Sequence, residues 1–162
     1  MDNKKILVAY FSCSGVTRKV AESLAQAAEA DLYEIEPEIP YKSADLNWND
    51  KNSRSTIEMK DLSSRPVIAT NVSNMEQYDT VLIGFPVWWY VAPTIINTFI
   101  ESYDFAGKNI VLFATSGGSG LGKSQQVLEV CCSKSAKWLT GKILSGRASV
   151  SELKIWVNSL QI

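Results

Sequence analysis

The chain contains no histidine. That excludes a Ser-His-Asp or Cys-His catalytic site and any histidine metal ligand. Cysteine is scarce: Cys13, Cys131 and Cys132 form an odd set with two members adjacent. Such a set is not a disulfide framework, and a reducing cytoplasm is the expected setting. Long apolar runs are missing too. The opening MDNKK leads into ILVAYF, too short for a signal or membrane segment, and no other run could span a bilayer. Charge of either sign is lacking in surplus, with 16 Lys+Arg against 17 Asp+Glu and a formal net charge of −1. Neither nucleic acid nor a membrane surface is therefore expected as a partner. Internal repeats and low-complexity segments are absent.

What is present suits an ordinary folded domain. At 162 residues and 46% hydrophobic content, the chain can bury a sizeable core, and one domain over 1–162 is expected. Continuous apolar runs at KILVAYF (5–11), DTVLIGF (79–85), NIVLFAT (109–115) and GKILSG (141–146) read as parallel strands covered on both faces. DLYEIEP (31–37) alternates and reads as an edge strand. Helical patterns lie between them. Val16, Val20, Leu24 and Ala28 repeat every four residues, Thr94–Tyr103 follows a helix-opening Pro93, and Lys123–Lys137 and Ser149–Leu160 complete the set. Ser149 with Glu152 predicts a capping box. Alternating strands and helices imply an α/β doubly wound sheet, whose ligands bind along the strand C-terminal ends. The polar excursion 41–66 is too long for a plain connection and predicts one short helix near 53–62.

Three loops fall at that edge. The first is Ser12-Cys13-Ser14-Gly15-Val16-Thr17. Unpaired N–H groups, a positive helix dipole and neutral hydroxyls make it a phosphate cradle; the same residues also suit a plain helix N-cap. Cys13 and Arg18 invite comparison with a tyrosine-phosphatase loop, but only four residues separate them where that chemistry needs five. The second loop is Pro86-Val87-Trp88-Trp89-Tyr90 and onward to Pro93. Three adjacent aromatics cannot all point one way, so at least one faces the cleft or solvent, where a planar ligand would stack on it. The alternative is that all three pack on the 41–66 excursion. The third loop, Thr115-Ser116-Gly117-Gly118-Ser119-Gly120-Leu121-Gly122, carries four glycines in six residues. Gly117–Ser124 also matches G-x-x-x-x-G-K-[ST], the P-loop signature of nucleotide-binding proteins. No second buried strand ends in the Asp that a P-loop enzyme needs for Mg²⁺.

In their order and spacing, YFSCSGVTRKVA, IGFPVWWYVAP and LFATSGGSGLG resemble the flavodoxin-like family, in particular the short bacterial flavodoxins, over nearly the whole chain. Asp45, Trp48, Arg54 and Glu58 share in the resemblance. It implies a three-layer fold with a five-stranded parallel sheet of order 2-1-3-4-5, and non-covalent FMN at its C-terminal edge. By position, Ser12, Ser14, Gly15, Val16 and Thr17 would hold the FMN phosphate, with Cys13 contributing mainly backbone. Pro86, Val87, Trp88, Trp89 and Tyr90 would flank the isoalloxazine, and Thr115, Ser116, Gly117 and Gly118 would reach its pyrimidine edge. The implied role is electron transfer between redox partner proteins, a reductase and an acceptor. An FMN-dependent NAD(P)H or quinone oxidoreductase is the alternative. The chain departs from the family pattern in two places: the run 87–90 lacks the glycine that typical members place beside flavin N5, and the run 116–123 lacks an aromatic.

Overall fold

A computed structural model of the chain describes residues 5–116 and 120–162. Five strands form one parallel sheet: β1 (Ile6–Tyr10), β2 (Asp31–Glu34), β3 (Thr80–Pro86), β4 (Asn109–Thr115) and β5 (Lys137–Ile143). Their order is β2-β1-β3-β4-β5, as the family resemblance implies. The helices are α1 (Val16–Ala28), α2 (Arg54–Lys60), α3 (Thr94–Glu101), α4 (Ser124–Val130) and α5 (Val150–Leu160).

Successive side chains of a strand point to opposite faces, so each central strand supplies two cores. Leu7, Ala9, Val81, Ile83, Ile110 and Leu112 meet α3 residues Ile95, Ile96 and Phe99 and α4 residue Leu128 on one face. Val8, Tyr10, Leu82, Val111 and Phe113 meet Val20 and Leu24 of α1 and Leu153 and Trp156 of α5 on the other. The three layers follow directly. Right-handed crossovers then put the loops after β1, β3 and β4 along one edge. Among the described residues no helix is long and apolar enough to cross a membrane.

Two elements differ from the sequence reading. β5 begins at Lys137, so it overlaps the run 141–146 only in its last three residues. Its residues are exposed or half-buried and none is fully buried, as in an edge strand, and continuous apolarity is the wrong signal for it. The register also slips between Val111 and Phe113, where β5 takes in an extra residue. Gly141 sits at that bulge, where a Cβ would stand 2.4 Å from the Leu112 carbonyl oxygen. Correspondingly, α4 stops at Val130 instead of reaching Lys137, because the hydroxyl-rich Cys132-Ser133-Lys134-Ser135 turns the chain, with Ala136 N–H donating to Ser133 O at 3.2 Å. The predicted capping box of α5 is present in its Ser149 half: the Ser149 hydroxyl accepts from Glu152 N–H and donates to the Glu152 carboxylate, each at 3.1 Å.

Candidate functional site

The first loop leaves the N-terminus of α1 open. Helices α2 and α5 are capped by the side chains of Ser53 and Ser149, but among the described residues no side chain caps α1. The Ser12 hydroxyl accepts from the N–H of the cap residue Gly15 at 3.2 Å. Gly15 occupies the cap position at φ +91°, with nothing within 4 Å of where a Cβ would be. The first i→i−4 bond is Lys19 N–H to Gly15 O, so the amides of Val16, Thr17 and Arg18 precede any intrahelical acceptor. Ser14, Gly15 and Val16 are exposed and Ser12 is half-buried. The cap position is thus filled by a glycine and not by one of the loop's hydroxyls. The loop offers free amides, a helix dipole and hydroxyls, with no acidic residue in the first turn of α1. It is suited to an anion such as a phosphate. Arg18 does not serve it, since its guanidinium is bound to Tyr10 Oη and the Glu34 carboxylate.

Cys13 points inward. It packs with Tyr41, Val87 and Trp88 against the first core, and burial pushes its thiol pKa up to about 12, with smaller opposing effects from Arg54 and Glu58. A thiol that stays protonated at neutral pH is a poor nucleophile, which agrees with the spacing that set phosphatase chemistry aside.

The second loop is a two-residue hairpin. Trp88 N–H donates to Val91 O at 2.9 Å and Val91 N–H to Trp88 O at 3.1 Å. The central residues Trp89 and Tyr90 both lie in the left-handed region, at φ 49° and 66°. Such turns ordinarily take Asn-Gly, and each L-residue held there costs about 1–2 kcal/mol. The conformation fixes where the three aromatics go. Trp88 is half-buried and meets Phe11 and Tyr41 edge-on, at ring-centroid distances of 5.8 and 5.7 Å. Trp89 and Tyr90 stay 44% and 67% exposed. So one aromatic packs on the excursion, and two remain available to a planar ligand.

The excursion packs on this arrangement through Tyr41. The Arg54 guanidinium stands 3.7 Å from the Tyr41 ring centroid while donating to Glu58 Oε2 at 3.1 Å and to Ile39 O at 2.6 Å. The Tyr41 hydroxyl donates to the same carboxylate through Oε1. Burial and the adjacent Glu58 both raise the Tyr41 pKa. Asp45 accepts from Lys42 N–H at 2.8 Å and closes a short 3₁₀ turn, and Trp48 is 69% exposed. The sequence offered no role for Arg54 or Glu58. Their i, i+4 spacing predicts a pair, but nothing local predicts the ring beneath it.

The third loop is tied to the other two. Thr115 O accepts from Val87 N–H at 3.1 Å, and its side-chain Oγ1 lies 2.8 Å from that of Thr17. Further on, Lys123 N–H donates to Tyr90 O at 3.0 Å. Gly122, at φ +59°, allows this latch, because a Cβ there would come within 2.0 Å of the Tyr90 oxygen. Ser124 is fully buried, with its hydroxyl donated to Leu121 O at 2.6 Å. Gly122 and Lys123 of the P-loop signature therefore hold the neighbouring turn, and the Ser124 hydroxyl that would meet a Mg²⁺ is spent internally. Gly117 and Gly118 lie outside the described residues. Of the other expected site residues, Ser12, Cys13, Ser14, Gly15, Val16, Thr17, Pro86, Val87, Trp88, Trp89, Tyr90, Thr115 and Ser116 all fall on the three loops or on the strand and helix ends that border them, at this one edge. No group of three or more His, Cys, Asp or Glu side chains among the described residues could hold a metal.

The likeness to known proteins covers the same span. A family model described as Flavodoxin matches residues 5–160. No curated protein matches the chain. Among solved structures, a candidate flavoprotein of Bacteroides eggerthii is 47% identical, with 99% of each chain covered and a TM-score of 0.92. One of Bacteroides uniformis is 44% identical, covering 97% of this chain and 99% of that one at a TM-score of 0.90. A Lactobacillus acidophilus flavoprotein, solved in complex with FMN, shares the fold at 23% identity, covering 95% and 99% at a TM-score of 0.69.

Proposed function

The chain belongs to the flavodoxin family, and on that premise we propose that it binds FMN at the C-terminal edge of its sheet and carries electrons between two protein partners, a reductase and an acceptor. The observation that supports this most directly is the uncapped N-terminus of α1 beside an exposed aromatic turn. One suits a phosphate and the other a flat ring, and both lie on tied loops. FMN is the ligand found with the Lactobacillus relative, and it has both parts.

In this reading Ser12, Ser14 and the free amides of Val16 and Thr17 hold the phosphate by neutral donors and the helix dipole, with Gly15 setting the turn. Trp89 and Tyr90 cover the ring and exclude water from it. Backbone groups of Thr115, Ser116, Gly117 and Gly118 meet its polar edge. When bound, FMN supplies the electron transfer, so the protein needs no acid, base or nucleophile of its own. The inert Cys13 thiol and the missing histidine agree with that.

The visible spectrum of freshly purified protein tests the proposal. Flavin absorption bands are expected, with a midpoint potential below that of free FMN because the aromatic cover opposes added negative charge. Colourless protein that cannot be reconstituted with FMN would overturn it. Steady-state turnover with NADH or NADPH and benzoquinone, without an added reductase, would make the chain an oxidoreductase instead of a carrier.

A further inference from the structure

We propose that Thr115 is a positioning residue that sets the preference for FMN over riboflavin, acting on the phosphate only through Thr17. This rests on the FMN reading above. Thr115 closes β4, and Thr17 lies in the first turn of α1, 98 positions away in the chain. The two residues are 8% and 2% exposed, and their hydroxyl oxygens are 2.8 Å apart. Burying a hydroxyl without a partner costs about 1–3 kcal/mol, so each of these depends on the other.

A hydroxyl carries one hydrogen and can accept two. Their mutual bond spends one hydrogen of the pair and leaves one. If Thr17 donates, the spare hydrogen belongs to Thr115 and Thr17 has none left for an anion. If Thr115 donates, Thr17 keeps its own hydrogen, in the turn whose free amides face the cradle. A phosphate dianion at the helix N-terminus has no hydrogen to donate and only accepts, so it selects the second arrangement. Thr115 then holds the Thr17 hydroxyl in the orientation a phosphate needs. Riboflavin has no phosphate and draws nothing from the pair. The same residue takes Val87 N–H on its carbonyl, which places the phosphate loop and the aromatic loop on one anchor.

The test is the affinity of the flavin-stripped full chain for FMN and for riboflavin, followed by quenching of flavin fluorescence. Thr115→Val keeps the shape and removes the hydroxyl. It is expected to lower the ratio of FMN to riboflavin affinity by about five- to tenfold, the worth of one hydrogen bond. Thr115→Ser restores the hydroxyl and the ratio. Thr115→Ala gives the same readout as Thr115→Val without any risk of overpacking. If the Val and Ala variants weaken both flavins by the same factor, or leave the ratio unchanged, the inference is overturned while the FMN reading stands. Wild-type protein that binds neither flavin would overturn both.

Discussion

Gly122 offers the sharpest quantitative test of how the loops hold one another. In Gly122→Ala the new side chain meets two obstacles. An L-residue at φ +59° costs about 1–2 kcal/mol. The methyl would also lie 2.0 Å from the Tyr90 carbonyl oxygen and 2.9 Å from its carbon. Both are backbone atoms and cannot swing aside, so the aromatic turn must shift and release the Lys123 N–H bond to Tyr90 O, worth about another 1 kcal/mol. The expected loss is roughly 2–3 kcal/mol in urea unfolding. Gly107→Ala is the control. Its φ is +75° with nothing within 4 Å, so it carries the conformational cost alone, and the unfolded-state entropy gained by Gly→Ala is common to both. Gly122→Ala should therefore be the worse by about 1 kcal/mol and should also weaken FMN binding, while Gly107→Ala leaves binding alone. Equal destabilisation by the two, or intact FMN affinity in Gly122→Ala, would refute the latch.

Two further outcomes follow from the wall of the site. Cys13, with its pKa raised to about 12 by burial, should resist iodoacetamide at pH 8 in native protein and react once the chain is unfolded, as peptide mass analysis would show. Because the folded value exceeds the unfolded one, near 8.5, its contribution to stability is complete below that pH and is lost as pH rises toward 12. Cys13→Ala should flatten that part of the alkaline fall in urea midpoint; an unchanged slope would count against it. Arg54→Ala strips Glu58 of its cation and Ile39 O of its donor, and is expected to cost about 2 kcal/mol in the same assay. Arg54→Lys should not restore it, since a single ammonium cannot reach both acceptors in one plane; full restoration would refute the role given to the guanidinium fork.

The strands that cross the middle of the sheet were plain in the sequence, because burial on both faces demands unbroken runs such as NIVLFAT, and β4 begins and ends with that run. Sheet order was not visible in any pattern of residues and came with the family resemblance. β5 was half hidden, since an edge strand broken by a bulge at Gly141 shows neither clean alternation nor continuity. At the site, the three loops announced themselves by composition. What tied them did not. Thr17 and Thr115 are ordinary residues until the fold sets them 2.8 Å apart, and Gly122 resembled part of a nucleotide motif because a close backbone approach calls for glycine whichever partner approaches. Tyr41 lay in a segment read only as irregular, though its ring supports both Arg54 and Trp88.

The turn at Trp89-Tyr90 has a bearing on how this protein could be altered. Its backbone asks for Asn-Gly, and that replacement would relieve two left-handed residues while removing the two exposed rings. A selection for thermal tolerance alone, run on flavin-free protein, would therefore drift toward chains that fold better and bind worse. Only selection in the presence of the ligand would keep the aromatic pair. Local backbone comfort and ligand retention pull in opposite directions at these two positions.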